Sequence, residues 1–210
     1  MKDIPLFTTQ NGAAGLTLRE IPYRQKAYIT IHETKNLPQL LDECTDFCKA
    51  VGAEEVYACN HAELTQYPVS TRILEMVCPL CDVPQVNARL QPAEDVTRFA
   101  EIYNRKMANI PGAKYLDCQE TEKRITAGNA YFVYRDDLLI GFGIVEGDEL
   151  CALGALQRGA GREVVCALCA ALAGDTVHLE VASENHKAIR LYEALGFQQT
   201  GIKNTWYKII

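Results

Sequence analysis

The chain has 210 residues, 48% apolar and 23% charged, enough to bury one large core or two small ones. A formal net charge of -6 argues against a dedicated nucleic-acid binder, which needs clustered Lys and Arg for phosphate contacts. No apolar run is long enough to cross a bilayer and the opening residues lack a signal-peptide pattern, so the expected location is cytoplasmic, without a membrane partner.

In chain order, residues 16–22 and 27–32 read as strands. Leu40, Leu41, Cys44, Phe47 and Cys48 recur at helical spacing and predict a helix over 37–51, which Gly52 can close. Residues 55–59 and 70–80 then read as strands. Pro79 and Pro84 flank a short break, which predicts a boundary there, with a smaller α/β unit over residues 1–84 and a second over 85–210. Within the first unit, the order helix, glycine, strand and Asn60-His61 faintly echoes the later helix, glycine, strand and Asn185-His186.

The second unit begins with a strand over 86–90 and a helix from about Asp95 to Met107. Residues 109–127 are poorly patterned and predict another helix or a substrate loop. Strands follow over 129–135 and 138–145, joined by the turn signal Asp136-Asp137, and a third over 149–156 after Glu146-Gly147-Asp148. A helix over 162–172 carries Val165, Leu168, Cys169 and Leu172 on one face. A strand over 176–181, a short helix over 185–195 and two last strands, the second over 205–209, complete the reading.

Nine cysteines invite a metal or redox reading, and the pairs Cys78 and Cys81, Cys166 and Cys169 have suitable spacing. Both pairs lie in apolar runs, however, where a free Cys acts as a small hydrophobe, and no His-rich segment supplies matching ligands. No metal is expected, and the odd cysteine count fits reduced thiols.

The chemistry concentrates at two junctions. The strand ending near Leu156 feeds Gln157-Arg158-Gly159-Ala160-Gly161-Arg162 and then a helix. Unpaired N–H groups at such a helix start, with the helix dipole, favour an anion, and Arg158 and Arg162 add positive charge. A plain strand-to-helix turn with solvated arginines has the same pattern. At the second junction stand Asn185, Ala188, Tyr192 and Gly196-Phe197. Their spacing closely resembles the strand–helix signature of the GNAT superfamily of N-acetyltransferases. Arg158-Gly159-Ala160-Gly161 resembles that family's pyrophosphate loop, with Glu163 departing from its usual small residue. The resemblance extends less specifically from about Val86 to the C-terminus and does not cover the first unit.

That resemblance implies an α/β fold with a mixed, split β-sheet flanked by helices; the smaller N-terminal unit, outside the resemblance, is expected to cover substrate or to be a degenerate GNAT-like half. It implies acetyl-CoA as co-substrate, held by Leu153, Gly154 and Ala155 on the strand, by Arg158, Gly159, Ala160, Gly161, Arg162 and Glu163 in the loop, and by Asn185. An amine would attack the thioester directly, with Tyr192 as the acid for the departing thiolate. Tyr192 can equally be a packed aromatic, and Asn185 an ordinary helix N-cap. Glu149 is the preferred base, because plain alternation puts it on one face with Cys151 and Leu153. Asp148 and Glu146 compete, and His178 stands in the neighbouring strand. A small-molecule or peptide amine is the expected partner, and a homodimer stays open. A non-catalytic acyl-CoA-binding or sensory module is the rival reading.

Overall fold

The computed structural model describes residues 1–110 and 113–210 and divides into two compact units, Met1–Arg72 with Lys203–Ile210, and Ile73–Ile202. The expected boundary at residue 84 therefore differs from this division in two ways. Residues 73–84 belong with the second unit, and the C-terminal residues belong with the first. Pro79 ends a strand rather than separating domains.

In the first unit, strands β1 (Ile4–Thr9), β2 (Gly12–Thr17) and β3 (Lys26–Thr34) form an antiparallel meander. Between β2 and β3 lies the one-turn helix α1 (Ile21–Arg24), with Pro22 in its first turn. The strand expected over 16–22 ends at Thr17, since Pro22 cannot donate to a ladder but suits a helix start. β1 was missed because its residues are mostly exposed or half-buried, leaving little apolar alternation to read. Helix α2 (Leu37–Ala50) follows, started by Asn36, whose side chain accepts from the Gln39 N–H at 3.3 Å. Its apolar face, Leu40, Leu41, Cys44 and Cys48, packs on Ile29 and Ile31 of β3 and on Val56 and Ala58 of β4 (Glu55–Cys59). β4 lies parallel to β3, as a helical crossover allows. A 3₁₀ turn at Ala62–Gln66 then leads into β5 (Val69–Pro79).

In the second unit, β6 (Arg89–Pro92) begins later than the expected strand. Helices α3 (Val96–Met107) and α4 (Cys118–Thr126) are each capped by an aspartate, Asp95 and Asp117, accepting from the backbone N–H three residues on. Thus a helix occupies part of the segment over 109–127, of which residues 111–112 lie outside the described residues. Strands β7 (Ala130–Arg135), β8 (Leu138–Glu146) and β9 (Glu149–Ala155) continue the sheet antiparallel from β6. Helix α5 (Gly161–Cys169) crosses to β10 (Thr176–Ala182), which pairs antiparallel with β5. Helix α6 (His186–Glu193) leads into β11 (Gln198–Lys208). β11 is one strand where two were expected: Gly201 stays within it, and the Thr200 hydroxyl donates to the Glu75 carbonyl of β5 at 3.4 Å. Two cores flank this part of the sheet. One holds α5 with β10 and Tyr192, and the other holds Phe99, Tyr103, Phe132 and Phe142 around α3.

Candidate active site

The site begins with a pair of strands that separate. β9 pairs with β8 from Glu146↔Glu149 to Gly141↔Ala155. Its pairing with β10 is parallel and confined to His178↔Glu149, where the His178 N–H donates to the Asp148 carbonyl at 2.9 Å. β10 meanwhile stays paired with β5 from Thr176 to Ala182. Past Glu149 the backbone of β9, including Leu153, Gly154 and Ala155, therefore has no strand partner on its β10 side among the described residues. Backbone N–H and C=O groups seek partners, and an extended ligand carrying amides can supply them.

The free edge runs to a helix start. Gly159 takes φ +84°, a left-handed conformation that turns the chain towards α5 and that a side chain would strain. Ala160 begins α5 without any side-chain cap, so the first helical N–H groups stay available to an anion. A Cβ on Gly161 would stand 3.0 Å from Leu191 of α6, so this helix start lies against the helix that carries Tyr192. Arg158 and Arg162 are exposed and make no ion pair among the described residues. Glu163 is drawn aside: its carboxylate accepts from the Arg135 guanidinium at 2.9 Å. Arg135 was not singled out in the sequence, because nothing local links β7 to the third residue of α5.

Asn185 is the N-cap of α6, its side chain accepting from the Ala188 N–H at 3.4 Å, so the ordinary capping role is present. Tyr192 is 7% exposed and packs on Phe197 with ring centroids 5.6 Å apart. The Phe197 N–H returns to the Tyr192 carbonyl at 3.0 Å, which ties the Gly196-Phe197 element to the tyrosine. Burial, with a smaller contribution from Cys169, pushes the Tyr192 phenol above the ordinary tyrosine range.

The carboxylates cluster where β9 and β10 touch. Val145 pairs with Leu150 and Ile144 with Ala152, which leaves Cys151 as the extra residue of a β-bulge. Leu150, Leu153 and Ala155 pack in the α5 core, whereas Ala152 and Leu156 pack in the α3 core. The expected common face of Glu149 and Leu153 is thereby corrected. The inserted residue inverts the alternation, and Glu149 falls on the α3 and α4 side of the sheet, opposite Leu153. Glu146 is ion-paired with Arg124 of α4, and Asp148 stands 3.7 Å from His178 Nε2. Glu149 makes no ion pair among the described residues. Burial first, and the Glu149 carboxylate second, push the neighbouring Cys151 thiol up to about 11. Among the described residues no three His, Cys, Asp or Glu side chains are arranged to hold a metal, and no helix is long and apolar enough to cross a membrane.

A mixed sheet whose central parallel strands part, with a glycine loop and helix start at the open end, defines the GNAT fold. Residues 150–207 match the FR47-like protein family. A stretch of 52 residues is 36% identical to N-alpha-acetyltransferase RimI of Mycobacterium tuberculosis, spanning 25% of this chain and 33% of that protein's length. Among solved structures, a GCN5-related N-acetyltransferase from Sphaerobacter thermophilus superposes with TM-score 0.57 at 13% identity, over 94% of this chain and 76% of its own. A tandem GNAT protein from the clavulanic acid biosynthesis pathway gives TM-score 0.52 at 13% identity, over 94% and 78%. The fold is that of the GNAT N-acetyltransferases, and the family match lies within residues 150–207 of this chain.

Proposed function

We propose that the second unit transfers an acetyl group from acetyl-CoA to a primary amine by direct attack. The observation that carries this is the parting of β9 and β10 after His178↔Glu149, which leaves a bare strand edge leading to the uncapped start of α5. Pantetheine amides would pair with Leu153 to Ala155, and the pyrophosphate would meet the N–H groups of Gly161 and Arg162 with Arg158 beside them. The same strand edge would stabilise charge growing on the thioester oxygen. Glu149, on the α4 side, would take the amine proton directly or through water. Tyr192, held protonated by burial, would serve the departing thiolate.

The acceptor class is open between a small-molecule amine and a peptide amine; the similarity to RimI favours a peptide N-terminus. The second reading is a non-catalytic acyl-CoA-binding or sensory module, in which Glu163, in the first turn of α5, would make the hold on phosphate weaker. Release of free CoA thiol from acetyl-CoA, monitored with a panel of amines, separates the two. Amine-dependent release supports transfer. A thermal shift with acetyl-CoA but no thiol release with any amine supports the binding module, and no thermal shift overturns both.

The first unit reads as a degenerate GNAT-like half. It repeats the order of three antiparallel strands, a helix and a strand parallel to the third.

A further inference from the structure

We infer that Arg124 is a positioning residue for the proposed transfer: by pairing with Glu146 it leaves Glu149 as the carboxylate able to accept a proton. The inference rests on the reading of Glu149 as base. Three carboxylates lie within four residues, Glu146, Asp148 and Glu149, around a tight turn. Glu146 and Glu149 are register partners on adjacent antiparallel strands and share one face. Two like charges directly opposite across a strand pair repel each other.

Arg124 offsets that repulsion. It sits in the last turn of α4, with side chains of both Arg124 and Glu120 about a quarter exposed and Nη2 3.2 Å from Glu120 one turn earlier. That i,i+4 contact holds the guanidinium while Nη1 meets the Glu146 carboxylate. Desolvation lowers the Arg124 pKa, but the bond and charge of Glu146 and the charge of Glu120 outweigh it, so the guanidinium stays charged. The groups around Glu149 are then Glu146 of β8, Asp148 of the turn, Cys151 of β9, His178 of β10, and Arg124 with Glu120 of α4. Of these, Arg124 is the one permanent cation. Asp148 is turned towards His178. Glu149 alone of the three carboxylates keeps no ion pair among the described residues.

The test is the pH dependence of kcat/KM for thiol release from acetyl-CoA, with one acceptor used throughout, the fastest of spermidine, lysine methyl ester and a short unblocked peptide. A common acceptor makes its own ionisation cancel between variants. Arg124→Gln should move the acidic limb up by roughly half to one pH unit, as Glu146 becomes an uncompensated neighbour of Glu149. Arg124→Lys should restore most of the wild-type position, and Arg124→Gln with Glu146→Gln should return it, because the offending charge is gone. A structural role alone would lower the melting temperature and leave the limb unmoved. An unmoved limb in folded Arg124→Gln, or a double variant as shifted as the single one, overturns the inference. So does a wild-type limb that survives Glu149→Gln. Absence of thiol release from the wild-type protein is a different failure, that of the proposed function.

Discussion

Tyr192 has the chemistry of an acid only while its proton remains, and its burial keeps it there. The phenol is raised above its ordinary value of about 10, so the neutral form persists where an exposed tyrosine would ionise. Tyr192→Phe preserves the contact with Phe197 and removes the hydroxyl. The expected outcome is a fall in turnover of about a hundredfold or more, with acetyl-CoA affinity little changed by calorimetry. The wild-type rate should show no decline from this group near pH 10, because its ionisation lies higher. A Phe variant with wild-type turnover would leave Tyr192 a packing residue. At Gly161, a Val side chain would press on Leu191 and stand where the proposed site would receive the coenzyme phosphates. Saturating acetyl-CoA is expected to raise the wild-type melting temperature, and Gly161→Val should abolish most of that rise, while a shift of wild-type size in the variant would show that the loop is not the phosphate site.

The motifs around those two residues are legible in the sequence because each is local: Asn185, Ala188, Tyr192 and Gly196 lie on α6 and its ends, and Arg158 to Gly161 form the loop that starts α5. The strand before the loop was equally legible, since 149–156 is an almost wholly apolar run between two turn signals. What surrounds Glu149 was not. A bulge is one inserted residue, and Cys151 carries nothing in its identity that marks it as such, so plain alternation put Glu149 on the wrong face. Arg124 escaped notice because its partner Glu146 is brought in by the fold of α4 against β8. The pair Glu163–Arg135 escaped for the same reason, and it carries its own test at the level of the helix. A carboxylate in the first turn of α5 stabilises the empty helix but opposes a bound phosphate. Glu163→Ala removes it and frees Arg135. The dissociation constant for acetyl-CoA, measured by titration calorimetry, should tighten by about twofold to fivefold, the scale of one charge at a helix end. Weaker binding would instead assign the pair to holding the loop in shape.

Six of the nine cysteines, Cys44, Cys48 and Cys59 in the first unit and Cys78, Cys166 and Cys169 in the second, are buried as apolar filler, and this makes stability sensitive to alkali. Burial pushes the thiols of Cys44 and Cys169 up to about 12 and that of Cys48 to about 11. In the unfolded chain they titrate near 8.5. Below that value both states hold the protons and the contribution is complete. As pH rises from about 8.5 towards 11–12 the unfolded chain loses protons that the folded one keeps, and stability declines. Urea midpoints should be level between pH 7 and 8 and fall steadily by pH 10, whereas level midpoints throughout would mean the thiols ionise in place.

The two units also differ in the feature that makes a coenzyme site, although their strand order is alike. In the first, β3 and β4 are paired continuously from Lys26↔Glu55 to Thr30↔Cys59, while β9 and β10 meet at one residue. A continuous ladder uses the backbone groups that a pantetheine arm would need. The helix start differs as well. Asn36 caps α2 with its own side chain, and Pro38 in the first turn has no N–H to offer, so the anion site is closed by the sequence itself. One acetyl-CoA should therefore bind per chain. Titration calorimetry should give a stoichiometry near one, and Gly161→Val should remove that single isotherm rather than halve it. A second equivalent surviving in the Gly161→Val protein would mean that β3 and β4 can part, and that the first unit is a working site in its own right.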